Sequence, residues 1–209
     1  MPSISSNPVR VAPQQERSTR RLAGILDAAA EIFVEVGYEA ATVTAIAERS
    51  GSSIGALYNY FPDKQSIAFM LVNQYSQEVE AHWKPLMEQA EILTHAEFAD
   101  RFIERITQFV QERPAYLSLL AAPIRFRRVP AARKASRIAI ANAFQAKNPS
   151  LSREQSLLAA NVSLQIVRGM MTLYGEADSK GKVSVVAEFK KALTLYLGSV
   201  LPKDAVEVK

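Results

Sequence analysis

The chain has 209 residues, 48% hydrophobic and 22% charged, with 25 Lys and Arg against 21 Asp and Glu for a net charge of +4. That composition is globular and excludes a polar disordered chain, and the lack of cysteine excludes disulfides, thiolate zinc sites and thiol nucleophiles together. No apolar run is long enough to span a membrane, and Met1 to Gln15 carries no apolar core of signal-peptide type, so a cytoplasmic protein without a membrane partner is expected.

Apolar residues recur at helical spacing along almost the whole chain, and no run alternates with a period of two for long enough to make a sheet. Residues 1–16 read as a flexible arm. Arg17, Arg20 and Arg21 cluster ahead of the first helical pattern, in which Leu22, Ile25, Leu26, Ala29, Phe33 and Val36 share a face as far as Gly37, a natural helix stop. Thr42 opens a short helix that closes at Gly51, and a second short helix holds Ile54, Leu57, Tyr58 and Phe61 before Pro62-Asp63. A long helix starts at Lys64 and is predicted to kink or end at Pro85. Thr94 with Glu97 reads as a capping box, followed by Phe98, Phe102, Ile106, Phe109 and Val110 on one side. Pro114, Pro123 and Pro130 punctuate shorter helices reaching about Lys147. Ser152 with Gln155 caps a helix whose only charge between Gln155 and Gly175 is Arg168, a pattern that predicts burial on nearly every side. The last helix, about Lys182 to Val200, places Val186, Phe189, Leu193, Tyr196, Leu197 and Val200 on one stripe.

The expected architecture is all-α, about nine helices, in two parts: a helix-turn-helix domain over residues 17–63 and a larger helical domain over 64–201, with a tail at 202–209. Two short helices joined by a tight glycine-containing turn are what a helix-turn-helix needs. Ile46, Ala47, Leu57 and Phe61 form its small core. Ser53, Ile54, Gly55, Ala56, Tyr58, Asn59 and Tyr60 remain on or near the outward side of the second helix. Small residues at its N-terminal end let the backbone approach base edges in a major groove. Tyrosine hydroxyls, Thr42, Thr44 and Lys64 are donors of the kind that hold phosphates.

From about Arg20 to Ile67 the sequence resembles the DNA-binding domain of TetR/AcrR-type bacterial transcriptional regulators. The positions that carry the resemblance are Gly37-Tyr38, Thr42-Val43, Ile46-Ala47, Gly51, Ser53, Gly55, Leu57-Tyr58, Tyr60-Phe61 and Lys64. The chain departs from the family at Ser52, where an aliphatic residue usually anchors the turn, and at Gln65, usually a glutamate. The resemblance implies a ligand-responsive regulator, in most members a repressor, that binds palindromic double-stranded operator DNA as a homodimer and is released by a small molecule. It implies a dimer interface built from residues 152–177 and 182–200, for which Leu164, Arg168, Met171, Phe189, Leu193, Tyr196 and Leu197 are the candidates. The middle helices would enclose the effector.

Pocket candidates for a small, largely apolar effector are Tyr75, Trp83, Phe102, Ile106, Phe109, Tyr116, Leu120, Phe126, Phe144, Gln165 and Met170, each of which reads as well as core. Gln165 and Arg168, polar groups on an apolar helix, need partners from a ligand or from a second subunit. The cluster Arg125, Arg127, Arg128, Arg133, Lys134 and Arg137 reads as a solvated face or as a seat for an anionic effector. Arg17, Arg20 and Arg21 read equally as DNA contacts and as a solvated terminus. Glu78 and His82 share a helix face, but a metal site lacks a third ligand. Without a phosphate loop or a nucleophile elbow, no enzyme, cofactor or metal is expected. The rival reading is an all-helical ligand-binding or interaction protein whose helix-turn-helix no longer reads DNA, and Ser52 is the feature that favours it.

Overall fold

The structure, a computed structural model, describes the backbone of residues 11–122 and 130–201 and the side chains of 15–122 and 134–201. Phe126 and the basic residues Arg125, Arg127, Arg128 and Arg133 of the central cluster lie outside the described side chains, as do the tail at 202–209 and most of the expected arm. Among the described residues there are nine helices and no strand: α1 Val11–Ala40, α2 Val43–Arg49, α3 Ile54–Tyr58, α4 Lys64–Gln89, α5 His95–Glu112, α6 Pro114–Ala121, α7 Pro130–Lys147, α8 Arg153–Glu176 and α9 Ser179–Val200. None of the helices is long and apolar enough to cross a membrane.

The chain divides into two compact units, residues 1–72 and 73–209. The division falls inside α4, later than the start of that helix, where the sequence pattern places it. In the first unit, Ile25, Ala29, Phe33, Ile46, Ala47, Leu57 and Phe61 are buried together with Ile67 and Ala68 of α4. Gly37 interrupts α1 with φ 74° and ψ 168°, a region open essentially to glycine alone, which is why the apolar stripe stops there. The helix begins earlier than its apolar pattern: α1 starts at Val11, so Arg17, Arg20 and Arg21 lie on its exposed side rather than ahead of it. Polar residues with adequate helix propensity extend it beyond what an apolar periodicity reveals.

In the second unit α9 packs against α5 and α8, α7 against α8, and α6 against α5 and α8. Both expected capping boxes form, Thr94 with Glu97 and Ser152 with Gln155. Pro85 does not end α4, which continues to Gln89. Trp83 and Leu86 are buried on either side of the proline, and Arg105 Nη1 of α5 donates to the His82 carbonyl in the disturbed turn at 2.8 Å, so packing and a charged donor hold the helix together there. Asp178 caps α9 by accepting from the Gly181 amide at 2.7 Å, which starts that helix slightly before the expected Lys182. Lys190 of α9 pairs with Asp100 and with Glu104 of α5, at 2.5 and 2.9 Å. Burial pulls the Lys190 ammonium down, but the two carboxylates outweigh it and the net direction is up.

Candidate functional site

In the first unit both short helices start on hydroxyl caps. Thr42 Oγ1 accepts from the Ala45 amide at 3.1 Å and Ser53 Oγ from the Ala56 amide at 3.2 Å. Each hydroxyl proton remains available to an acceptor outside the helix. The turn between the helices closes by two backbone bonds, the Gly51 amide to the Glu48 carbonyl at 3.1 Å and the Ser52 amide to the Ala47 carbonyl at 2.9 Å, with Gly51 at φ 64°. This is the Schellman arrangement, with glycine in the left-handed position. Ser52 forgoes the apolar contact that often accompanies that motif, yet the turn keeps its hydrogen bonds and its geometry.

Leu57, completely buried, fixes the inner side of α3. Ile54 and Tyr58, one turn apart, remain 45% and 51% exposed on the outer side. A Cβ at Gly55 would meet nothing within 4 Å, so the backbone of α3 is open to close approach. Thr42, Thr44, Ser53 and Asn59 are exposed, and Ala56 and Tyr60 are half-buried. The Tyr60 hydroxyl shares a 3.1 Å hydrogen bond with Ser18 Oγ of α1. The predicted residues of α2, α3 and their caps are thus mostly exposed, whereas Lys64 is half-buried and engaged by backbone. Its ammonium is directed at the carbonyls of Tyr38, Glu39 and Ala41, at 2.7, 2.9 and 2.8 Å, and sits 4.5 Å from the Tyr38 ring centre. The expected phosphate donor is thus engaged by three backbone carbonyls.

A second cation ties α2 to α1. Arg49 donates to Glu35 through both terminal nitrogens at 2.8 Å and to Glu31 at 3.0 Å. The hydrogen bonds from Arg49 hold the Glu35 carboxyl below its ordinary range, burial opposes them, and the charge of Arg49 adds to them. Burial, with the charges of Glu39 and Asp63 behind it, raises the Tyr38 phenol.

In the second unit a cavity of about 660 Å³ lies between α4 and α7, within the size range of small-molecule sites, roughly 300–1,000 Å³. Its walls are Gln77, Glu80, Ala81, Trp83, Lys84, Met87 and Glu88 from α4 and Ser136, Ala139, Ile140, Asn142, Ala143 and Ala146 from α7. Among the described residues, Trp83 is the only predicted pocket residue that lines it. The others with described side chains are placed elsewhere. Tyr75, Phe109 and Tyr116 pack edge to face at 5.4–6.4 Å between ring centres. Phe102 stacks on Trp83 at 4.5 Å and on Phe98, which in turn meets Phe144. Apart from Trp83, which also lines the cavity, these rings pack against one another rather than along its wall. Ile106 and Met170 are buried, Leu120 is half-buried and Gln165 is exposed. The signal that sequence reading passed over is the alanine spacing of α7: Ala139, Ala143 and Ala146 keep one face of that helix small.

On α8 and α9 the candidates divide as well. Met171, Leu193 and Leu197 are buried inside the protomer, so they hold α9 and α8 in place and have no surface to offer a second copy. Leu164, Phe189 and Tyr196 are half-buried, and Phe189 lies over Gly169. Arg168 is exposed, as is Gln165, so neither is the buried polar group that the pattern suggests. The apolar side chains left outside are others: Leu158 at 62%, Leu173 at 48%, Val183 at 70% and Leu195 at 76% exposure. Among the described residues no cluster of three metal-binding side chains occurs. Glu78, half of the suggested pair with His82, is engaged by Arg113 Nε at 3.0 Å.

Comparison with known proteins agrees with this arrangement. Residues 25–70 match the profile of the bacterial regulatory proteins of the tetR family, and residues 94–197 that of a tetracyclin repressor-like C-terminal domain. The chain is 32% identical over 111 residues to the HTH-type transcriptional repressor AcnR of Corynebacterium diphtheriae, covering 51% of this chain and 58% of that one. It is 35% identical over 79 residues to the HTH-type transcriptional regulator HbdR of an Aromatoleum species, 36% of this chain and 34% of the relative. The matches thus span between about a third and rather more than half of these relatives. Among solved structures, FadR from Bacillus subtilis in complex with stearoyl-CoA superposes with a TM-score of 0.66 at 19% identity, over 85% of this chain and 98% of that one. A TetR-family regulator from Mesorhizobium loti does so with a TM-score of 0.63, at 19% identity over 88% and 98%. At such identities the likeness is one of fold. With both profiles in chain order on a two-unit, all-helical fold, the chain belongs to the tetR family of bacterial regulatory proteins.

Proposed function

We propose that this protein is a homodimeric transcriptional repressor that reads a palindromic operator through α3 and is released by a small, largely apolar molecule. The observation that carries the reading is the outer side of α3. Ile54, Gly55 and Tyr58 stand exposed there on a helix held by Leu57, by the Ser53 cap and by an intact turn. An isoleucine and a tyrosine facing water gain nothing, whereas in a major groove both find apolar contact and the tyrosine hydroxyl finds hydrogen-bond partners. The free hydroxyl protons of Thr42 and Ser53, at two helix N-termini, suit phosphates on either side. Ser52 loses its weight as support for the rival reading, because the turn, though without the usual aliphatic anchor, is closed by backbone bonds.

The effector would enter the α4–α7 cavity, whose walls are mainly apolar, with Trp83, Met87, Ile140 and the alanines of α7 as the body of the site. FadR from Bacillus subtilis, similar in fold, is in complex with stearoyl-CoA, a ligand with a long apolar part. The second copy would cover the outer sides of α8 and α9, where Leu158, Leu173, Val183 and Leu195 are exposed. A two-fold dimer presents its α3 helices to half-sites one helical turn apart, about 34 Å, or a multiple of it. Titration of duplex DNA against salt tests the DNA-binding part. A regulator loses affinity log-linearly, with a slope of about −0.9 for each phosphate neutralised; a protein that no longer reads DNA gives no binding to titrate.

A further inference from the structure

We propose that Lys64 is a positioning residue: its ammonium clasps the two ends of the recognition segment together and thereby sets the presentation of α3, without touching DNA. The inference rests on the DNA-binding reading above. Tyr38 and Glu39 lie in the last turn of α1, after the Gly37 kink, and Ala41 just beyond it, where carbonyls lack intrahelical partners and need donors. Lys64 supplies one N–H to each, at 2.7, 2.9 and 2.8 Å, with the Tyr38 ring face 4.5 Å away. An ammonium has three protons, and all three are used. For Lys64 to hold a phosphate, at least one carbonyl at this half-buried corner would be stripped of its partner.

Residues 42–63, which carry α2, the turn and α3, lie between the residues that are clasped. The segment is thus closed at both ends by a single side chain. Arg49 independently ties α2 to α1 through Glu31 and Glu35, and Tyr60 meets Ser18 of α1. Lys64 is also the first residue of α4, so movement of that helix meets the recognition segment at this clasp.

The test compares wild type with Lys64→Arg and Lys64→Met on a duplex selected from random DNA and on an unrelated duplex, across a range of salt. It is run below the melting temperature of each variant, followed by circular dichroism. A clasp predicts that both variants lose at least tenfold on the selected duplex, stay within twofold on the unrelated one, and keep the wild-type salt slope. Arginine retains the charge, but its planar fork does not reproduce three convergent bonds to carbonyls. Equal weakening on both duplexes, rescue by arginine, and a salt slope shallower by about 0.9 in Lys64→Met would make Lys64 a phosphate ligand and overturn the proposal. Should Lys64→Met fail to fold, ammonium-resolved NMR of the unaltered protein decides. Scalar couplings from the Lys64 Nζ protons to the three carbonyls that persist on adding the selected duplex support the clasp. Their replacement by a coupling to phosphorus refutes it. A wild type that selects no duplex fails the DNA-binding reading and this proposal with it, whereas a wild type that binds and a Lys64→Arg variant that binds equally well fails this proposal alone.

Discussion

If the proposed dimer forms through the outer sides of α8 and α9, Leu195→Glu should convert it to monomers, although Leu193, two residues earlier on the same helix, is the more buried side chain. Leu195 is 76% exposed in the protomer, while Leu193 is completely buried. Burying a leucine is worth about 1.5–3 kcal/mol, so covering the exposed three-quarters of Leu195 contributes about 1–2 kcal/mol. A two-fold interface uses the residue twice, which brings the loss to about 2–4 kcal/mol, on the order of 30- to 1,000-fold in the dimer Kd. A buried unpaired carboxylate adds further cost. Sedimentation equilibrium across a range of concentrations measures the shift. Leu193→Ala is the contrasting variant. It removes side-chain volume from the protomer's own core, so it should lower unfolding stability by about 2–5 kcal/mol while leaving the dimer Kd of the folded protein unchanged. An unaltered Kd for Leu195→Glu, or dissociation by Leu193→Ala with stability intact, would refute the placement of the interface.

The remaining predictions concern the cavity and the α1–α2 clamp. Trp83 is the only tryptophan of the chain and lines the cavity, so binding of an apolar effector should change its emission. Ala139→Phe fills the same space from α7 and should abolish that change; a ligand that binds this variant as tightly as wild type occupies another site. Arg49 holds the Glu35 carboxyl below its ordinary range, so this pair contributes stability above the unfolded carboxylate pKa and loses it as pH falls through the lower folded value. The contribution is small because both side chains are well exposed to solvent. NMR titration should find Glu35 moving up to the usual carboxylate range in Arg49→Gln, and an unmoved titration would remove Arg49 as the cause.

The elements were legible wherever local chemistry decided them. Gly37, the Thr94–Glu97 and Ser152–Gln155 boxes and Thr42 as a helix start all act within a few residues, whereas the Ser53 cap was not read from the sequence. The outer side of α3 was legible for the same reason, since Leu57 at helical spacing fixes which residues face outward. What escaped depends on the third dimension. Lys64 reads as a surface donor until the orphaned carbonyls 23–26 residues earlier are brought to it. Phe102 and Phe109 read as pocket or core alike, and only ring-to-ring packing decides for core. On α9, apolar periodicity identified a stripe, but Leu193 and Leu197 belong to the side packed within the protomer, and Leu195 between them faces out. A pattern of spacing says that a helix has an apolar face; it does not say whose surface covers it. Pro85, expected to kink or end α4, does not end it, because tertiary packing and Arg105 hold the helix together there.

The most direct measurement is selection of bound duplexes from a random-sequence pool by wild-type protein, with Tyr58→Ala in parallel. Enrichment of a palindrome with half-sites about one helical turn or a multiple apart by wild type, and a loss of about 1–3 kcal/mol on that sequence for Tyr58→Ala with unchanged affinity for random DNA, is the result expected of a dimer that reads bases through α3. A pool left unenriched by wild type, or a palindrome bound equally well by Tyr58→Ala, would contradict it.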